Sequence, residues 1–215
     1  MSTNEGSYHK EKKKMSKEHK GLNILGRIKF NAPVTLGFAI ISLGALLLNN
    51  ATHGKSNELL FSTYRTKLLN PLMYVRLFTH VLGHVNWSHY IGNMTLILIL
   101  GPILEEKYGS KNFLEMICIT ACITGIIHNI FFPKVMLLGA SGIVFMCIIL
   151  ASAVSFKGGE IPITLILVFV IYVGGEIMDA VSKKDNISQL GHIIGGFCGG
   201  AYGLMYANMP GGSKK

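Results

Sequence analysis

A serine and a histidine stand in two separate apolar runs of this chain. Ser141 lies in Gly139-Ala140-Ser141-Gly142, at the head of a run that continues to Phe156. His192 lies in the last apolar run, Gly191-His192-Ile193-Ile194-Gly195-Gly196-Phe197-Cys198-Gly199-Gly200. A hydroxyl and an imidazole are costly to place in lipid, so such groups face one another or a wet cavity and mark a functional site. They are also the minimum pair for activating a hydroxyl nucleophile. The residues alone therefore imply a serine hydrolase whose site lies inside a membrane.

Gly139 and Gly142 flank the serine and let the backbone bend and approach a neighbour closely. The N–H groups at a helix start have no intrahelical partner, so they are free to donate to a developing oxyanion. By itself Gly-Ala-Ser-Gly also fits plain small-residue packing between membrane helices. Gly195, Gly196, Gly199 and Gly200 follow His192 at +3, +4, +7 and +8, on the histidine's own helix face. A glycine face lets two helices close up and would bring His192 within reach of Ser141. Phe145, one turn after Ser141, is placed to pack on the imidazole. His89 and Asn93, at i and i+4, share a face at the start of another apolar run. An imidazole and an amide N–H suit oxyanion stabilisation. Ordinary hydrogen bonding between helices is the other reading of that pair.

Composition says what must position these groups. The chain has 215 residues, 50% hydrophobic and 14% charged, with mean hydropathy +0.44. Soluble domains carry about 25% charged residues. An all-α, polytopic membrane domain is expected, with room for roughly five to seven spans of about 20 residues. Six are predicted, at 34–48, 89–104, 112–132, 139–156, 161–173 and 189–209. The stretch 49–88 is too polar to span and too apolar for a free loop. Leu60, Tyr64, Leu68, Leu72 and Val75 recur in it at helical spacing, which predicts an interfacial helical segment. Residues 1–30 read as a basic, disordered cytoplasmic tail, 31–209 as the six-helix domain and 210–215 as a short cytoplasmic tail.

The net charge of +9 is concentrated before the first span, in Lys10, Lys12, Lys13, Lys14, Lys17, Lys20, Arg27 and Lys29. It lacks aromatic interleaving and any nucleic-acid motif, so nucleic acid is not an expected partner. A basic leader reads as a cytoplasmic topology signal. With six spans, Lys107, Lys111, Lys157, Lys214 and Lys215 join the leader inside. Lys55, Arg65, Lys67, Arg76, Lys134, Lys183 and Lys184 fall outside. The bias favours both termini in the cytoplasm and places Ser141 near the outer face. No cleavable signal is expected, because the first apolar run follows a long charged leader. Cys118, Cys122, Cys147 and Cys198 all lie in apolar runs without a C-x-x-C, so they read as helix-packing residues.

Taken in order, Arg76 before an apolar pair, His89-x-x-x-Asn93, Glu105-x-x-x-Gly109-Ser110, Gly139-x-Ser141-Gly142, and His192 with its glycines resemble the rhomboid family of intramembrane serine proteases. The resemblance covers residues 30–208. It implies a six-transmembrane-helix bundle with an interfacial first extracellular loop. It implies Ser141 as nucleophile and His192 as general base, a dyad with no carboxylate. His89, Asn93 and the Ser141 N–H match the oxyanion-binding positions. Gly139, Gly142, Phe145, Gly195, Gly199, Arg76 and Glu105 match supporting positions. Val75 replaces the tryptophan of the family's Trp-Arg pair, and Phe145 stands where many members carry tyrosine.

No cofactor and no metal are expected. The partners expected are transmembrane protein substrates and the lipid bilayer, and a monomer suffices for the mechanism. A helical scissile bond is shielded, so local unwinding at Gly or Pro favours cleavage, and water must reach the serine through a cavity open to the outside. The compact six-span core resembles prokaryotic members, giving an expected place in a bacterial plasma membrane. Rival readings fit less well. His80 and His84 are at i and i+4, but Val81 follows His80 where a zinc protease needs glutamate. Glu176 and Asp179 sit at the end of a single span and make no aspartyl pair. A transporter or channel needs ionisable residues through the membrane depth, and only His128 stands out besides those named. A non-catalytic, derlin-type relative that binds membrane clients remains the alternative; such relatives lack the serine or the histidine, and this chain keeps both.

Overall fold

The computed structural model describes residues 30–153, 163, 166, 167, 170 and 187–207. The described helices lie in one compact unit that begins at Ala32. They are α1 (Pro33–Ala51), α2 (Lys55–Leu59), α3 (Pro71–Thr79) with a 3₁₀ turn at His80–Leu82, α4 (Trp87–Tyr108), α5 (Ser110–Phe131), α6 (Ser141–Ser152) and α7 (Ile187–Ala207). Among the described residues, α1, α4 and α5 are long and apolar enough to cross a membrane, and α6 is a shorter apolar helix. The predicted tails at 1–30 and 210–215 lie outside the described residues apart from Phe30, as do Glu176 and Asp179. The predicted fifth span, 161–173, is described only at Ile163, Ile166, Leu167 and Val170, which are helical and exposed.

Burial is inverted relative to a water-soluble bundle. Ile40, Ile41, Leu47 and Leu48 of α1, Ile91, Leu98, Ile99 and Ile103 of α4, and Leu114, Ile119, Ile126 and Ile130 of α5 are exposed. Thr35, Ser42, Asn93, Thr120, Thr124 and Asn129 are buried. Lipid solvates the first set as well as a protein interior does, so burying it gains little. A polar group turned outward would find no partner in hydrocarbon, and Thr35, Asn93, Thr120 and Asn129 are hydrogen-bonded inside. The core between the helices is filled by Ile97, Leu104, Phe113, Met146, Cys147 and Leu150. All four cysteines are free thiols.

The first helix is held at its start by a carboxylate from α4. Pro33 opens α1 with no capping side chain of its own. Buried Glu105 accepts from Val34 N–H at 2.9 Å, Thr35 N–H at 3.0 Å and the Thr35 hydroxyl at 2.8 Å. A negative charge belongs at that end of the helix, where free N–H groups and the dipole meet it. One turn earlier on α4, Gly101 lies so close to Thr35 that a Cβ there would stand 2.6 Å from its side chain.

Local signals set the helix boundaries. Asn86 caps α4 by accepting from His89 N–H at 2.9 Å, so the helix starts at Trp87, ahead of the predicted boundary. Gly109, at φ +82, turns the chain between α4 and α5. Gly139, at φ +124, cannot be helical, so α6 begins at Ser141 rather than at the predicted 139.

The segment 49–88 is not one interfacial helix. Leu60, Tyr64 and Leu68 carry the helical spacing but lie outside any helix. Thr63 instead forms an isolated antiparallel bridge with Leu137, and Arg65 N–H donates to Pro133 O at 3.1 Å. Pro71 bars the helical conformation from Asn70, whose side chain caps the new helix α3 at Leu72 N–H. Arg76, only 2% exposed, folds back inside this loop. It donates to Leu72 O and the Thr66 hydroxyl, and its guanidinium lies 4.2 Å from the Tyr64 ring centre.

Glu105→Ala removes the three hydrogen bonds to Val34 and Thr35, each to a charged acceptor, and the contact of the carboxylate with Ser110. The expected loss is about 3 kcal/mol of stability, read as a lower thermal midpoint in detergent, with Glu105→Gln falling between the variant and wild type.

Candidate active site

The first turn of α6 lies against α7 from its second turn onward, with no side chain between them. A Cβ on Gly142 would stand 3.2 Å from Gly191 O, and one on Gly195 would overlap Gly142 O. Lower down, a Cβ on Gly199 would overlap Met146 O. Ser141 directly precedes Gly142, and His192 directly follows Gly191. Across the same contact the Phe145 and His192 rings stack, with centroids 4.5 Å apart and planes 5° from parallel. No side chain caps the start of α6, so the N–H groups of its first turn stay available.

His89 and Asn93 approach from α4. The His89 ring presses on Gly139, where a Cβ would stand 2.8 Å from Cε1 and Nε2. Gly139 N–H donates to His80 O at 2.9 Å, which ties the chain just before Ser141 to the first loop. His89 is also within electrostatic reach of His192. The structure thus gathers Ser141, His192, His89, Gly139, Gly142, Phe145 and Gly195 around one locus, and Asn93 lies one turn beyond His89 on α4. Gly199 lies one turn along the α6–α7 contact. Arg76 and Glu105 do not join them; one braces the loop and the other the start of α1.

Sequence reasoning weighed His80 and His84 only as metal ligands. Both are buried; His80 is bonded through one ring nitrogen and His84 through both. A carbonyl only accepts, so His80 Nε2–H donates to Ala121 O at 3.1 Å and His84 Nδ1–H donates to Leu82 O at 3.1 Å. His84 Nε2 then accepts from Asn93 Nδ2–H at 3.2 Å. Among the described residues no group of three or more His, Cys, Asp or Glu is placed to hold a metal. Burial pushes the His80 imidazole down to about 4, against a smaller opposing pull from its bond to Ala121. Burial first, and the neighbouring His89 second, push His84 down to about 4 as well. Thr124 also escaped notice. Its buried side chain lies 3.7 Å from where a Gly191 Cβ would stand and 3.9 Å from that of Gly142. The clustering of His80, His84 and His89 in a charge-poor stretch was the one signal that pointed here.

Apolar outer faces, polar groups turned inward and a serine–histidine locus at the close approach of two helices define a helical membrane domain with a buried polar site. The Rhomboid domain model matches residues 71–209, and the chain belongs to the rhomboid family. It is an integral membrane protein. The rhomboid protease GluP of Bacillus subtilis (strain 168) is 28% identical over 177 residues, a match covering 78% of this chain and 34% of that relative. The chain therefore spans about a third of that protein's length.

Two expectations follow. Gly139→Ala sets a side chain at positive φ and against the His89 ring; strain of about 1–3 kcal/mol is expected, read as a lower thermal midpoint in detergent. Acid should also destabilise the fold. Unfolded imidazoles bind protons below their ordinary pKa of about 6.5, whereas folded His80 and His84 hold off until about 4. The unfolded state therefore binds more protons in that window. Thermal midpoints measured from pH 7 downward should be steady above 6.5 and fall progressively towards 4, less steeply in His80→Gln.

Proposed function

We propose that this chain is an intramembrane serine endopeptidase that cleaves transmembrane segments of other membrane proteins near the outer face. The observation that carries the reading is the close contact of the first turn of α6, which holds Ser141, with the second turn of α7, which holds His192, and the stacking of Phe145 on the imidazole. Family membership and the name of the Bacillus relative support it.

His192 takes the Ser141 Oγ proton as Oγ attacks the scissile carbonyl carbon. Charge develops on the carbonyl oxygen, and the Ser141 N–H, His89 and Asn93 Nδ2–H stabilise it. His192 then returns the proton to the leaving amine. Water, deprotonated in turn by His192, hydrolyses the acyl-enzyme and frees Ser141. Stacking on Phe145 keeps the imidazole from rotating away between these steps. The dyad needs no metal or cofactor and no second subunit. Six spans, with both termini in the cytoplasm of a bacterial cell, complete the proposal and put the serine on the outer side.

Fluorophosphonate labelling in detergent and in liposomes tests it. A fluorophosphonate labels a serine only where a base activates it and a hole accepts the phosphoryl oxygen. Wild type should label, Ser141→Ala and His192→Ala should not, and EDTA should change nothing. A folded wild type that neither labels nor cleaves a model transmembrane substrate in lipid would instead favour a client-binding role.

A further inference from the structure

We propose that His84 is a positioning residue that aims the Asn93 amide at the developing oxyanion; the inference rests on the function proposed above. His84 is completely buried in the first loop and makes contact with both side chains offered as oxyanion donors. It bonds Asn93, and its ring meets that of His89 edge to face, with centroids 5.0 Å apart and planes at 68°.

The proton on His84 is fixed by its surroundings. Nδ1 faces the Leu82 carbonyl and must donate to it, so Nε2 carries a lone pair. A lone pair can only accept, which dictates that Asn93 presents Nδ2–H to it rather than Oδ1. One N–H of the amide is thereby committed and the other is held in a set direction, free to donate. With no acceptor at that place the amide gains a second orientation. Rotated by half a turn, it offers Oδ1 to an anion, which repels it.

The imidazole is itself clamped. Asn57 Nδ2–H donates to His84 O at 3.0 Å. The preceding residue, Gly83, runs so close to Phe61 that a Cβ there would overlap Phe61 O. Tyr90 closes a third side, edge to face at 5.4 Å between centroids. His84 thus transmits the fold of the first loop to a side chain on α4.

The test compares His84→Gln, His84→Met, Asn93→Ala and the double variant His84→Met/Asn93→Ala by the rate of fluorophosphonate labelling of Ser141, per folded molecule. Both replacements at 84 fill the space, but only glutamine offers an acceptor. His84→Met should slow labelling by about tenfold to hundredfold, as expected of a misaimed group. His84→Gln should recover most of the rate. On a cleavable transmembrane substrate the loss should fall on kcat and leave KM unchanged. The double variant should label no more slowly than Asn93→Ala alone, since His84 acts through that amide. Wild-type rates in His84→Met, or losses that multiply in the double variant, would overturn the proposal. A second measurement needs no variant of uncertain folding. In histidine-labelled wild type, the ¹⁵N shifts of His84 should show a protonated Nδ1 and a bare Nε2, unchanged between pH 8 and 6; a proton on Nε2 overturns the proposal. Full-rate labelling of Asn93→Ala, or none of the wild type, would mean instead that the oxyanion role of Asn93 has failed, and the inference falls with it.

Discussion

No side chain stands between α6 and α7 at the level of Gly142, Gly191 and Gly195. In lipid this is the constraint from which the site follows. Apolar surface gains little by leaving hydrocarbon for another helix, so helices associate through close packing and polar contacts. Backbones that approach to glycine distance collect many such contacts at once. They also set Phe145 on His192 without an intervening layer. A methyl group on Gly195 would overlap a main-chain oxygen rather than a movable side-chain tip. The helices would have to separate, and the stack would separate with them.

The polar framework works from the other side. Glu105 fastens the start of α1 to the end of α4, and Asn86 fixes the start of α4. His80 reaches Ala121 on α5 through its ring and Gly139 through its carbonyl. His84 reaches Asn93. The bonds of Thr35 to Glu105, of His80 to Ala121 and of Asn93 to His84 are buried, so a broken one leaves a costly orphan. The first loop is therefore part of the proposed site's support.

Much of this was legible in the sequence, where the signal was local. His89 and Asn93 share a face because they are a turn apart on a helix. The glycines after His192 fall on its side for the same reason. That Ser141 stands near a helix start was legible from the apolar run that opens there, while the positive φ of Gly139 that moves the start from 139 to 141 was not. The misreading at 60–68 has a physical cause. Leu60, Tyr64 and Leu68 carry a helical period by coincidence of spacing, while Thr63 takes its conformation from Leu137, a residue far along the chain. Asn93 and His84 pair across a loop and a helix cap, so nothing in either residue's neighbourhood announces the partner. Contacts at long separation escape any local period, and the support around the proposed site consists mostly of such contacts.

The connection from α5 to α6 is bonded at Pro133 by Arg65 N–H, at Leu137 by both main-chain groups of Thr63, and at Gly139 by its own N–H to His80 O. Connecting loops ordinarily absorb insertions and deletions freely. This one has no slack. One residue added between Leu137 and Gly139 would break the register between the bridge to Thr63 and the bond to His80 O. The length between Pro133 and Ser141 is thus set as firmly as the pitch of a helix, and length variation in relatives should gather elsewhere.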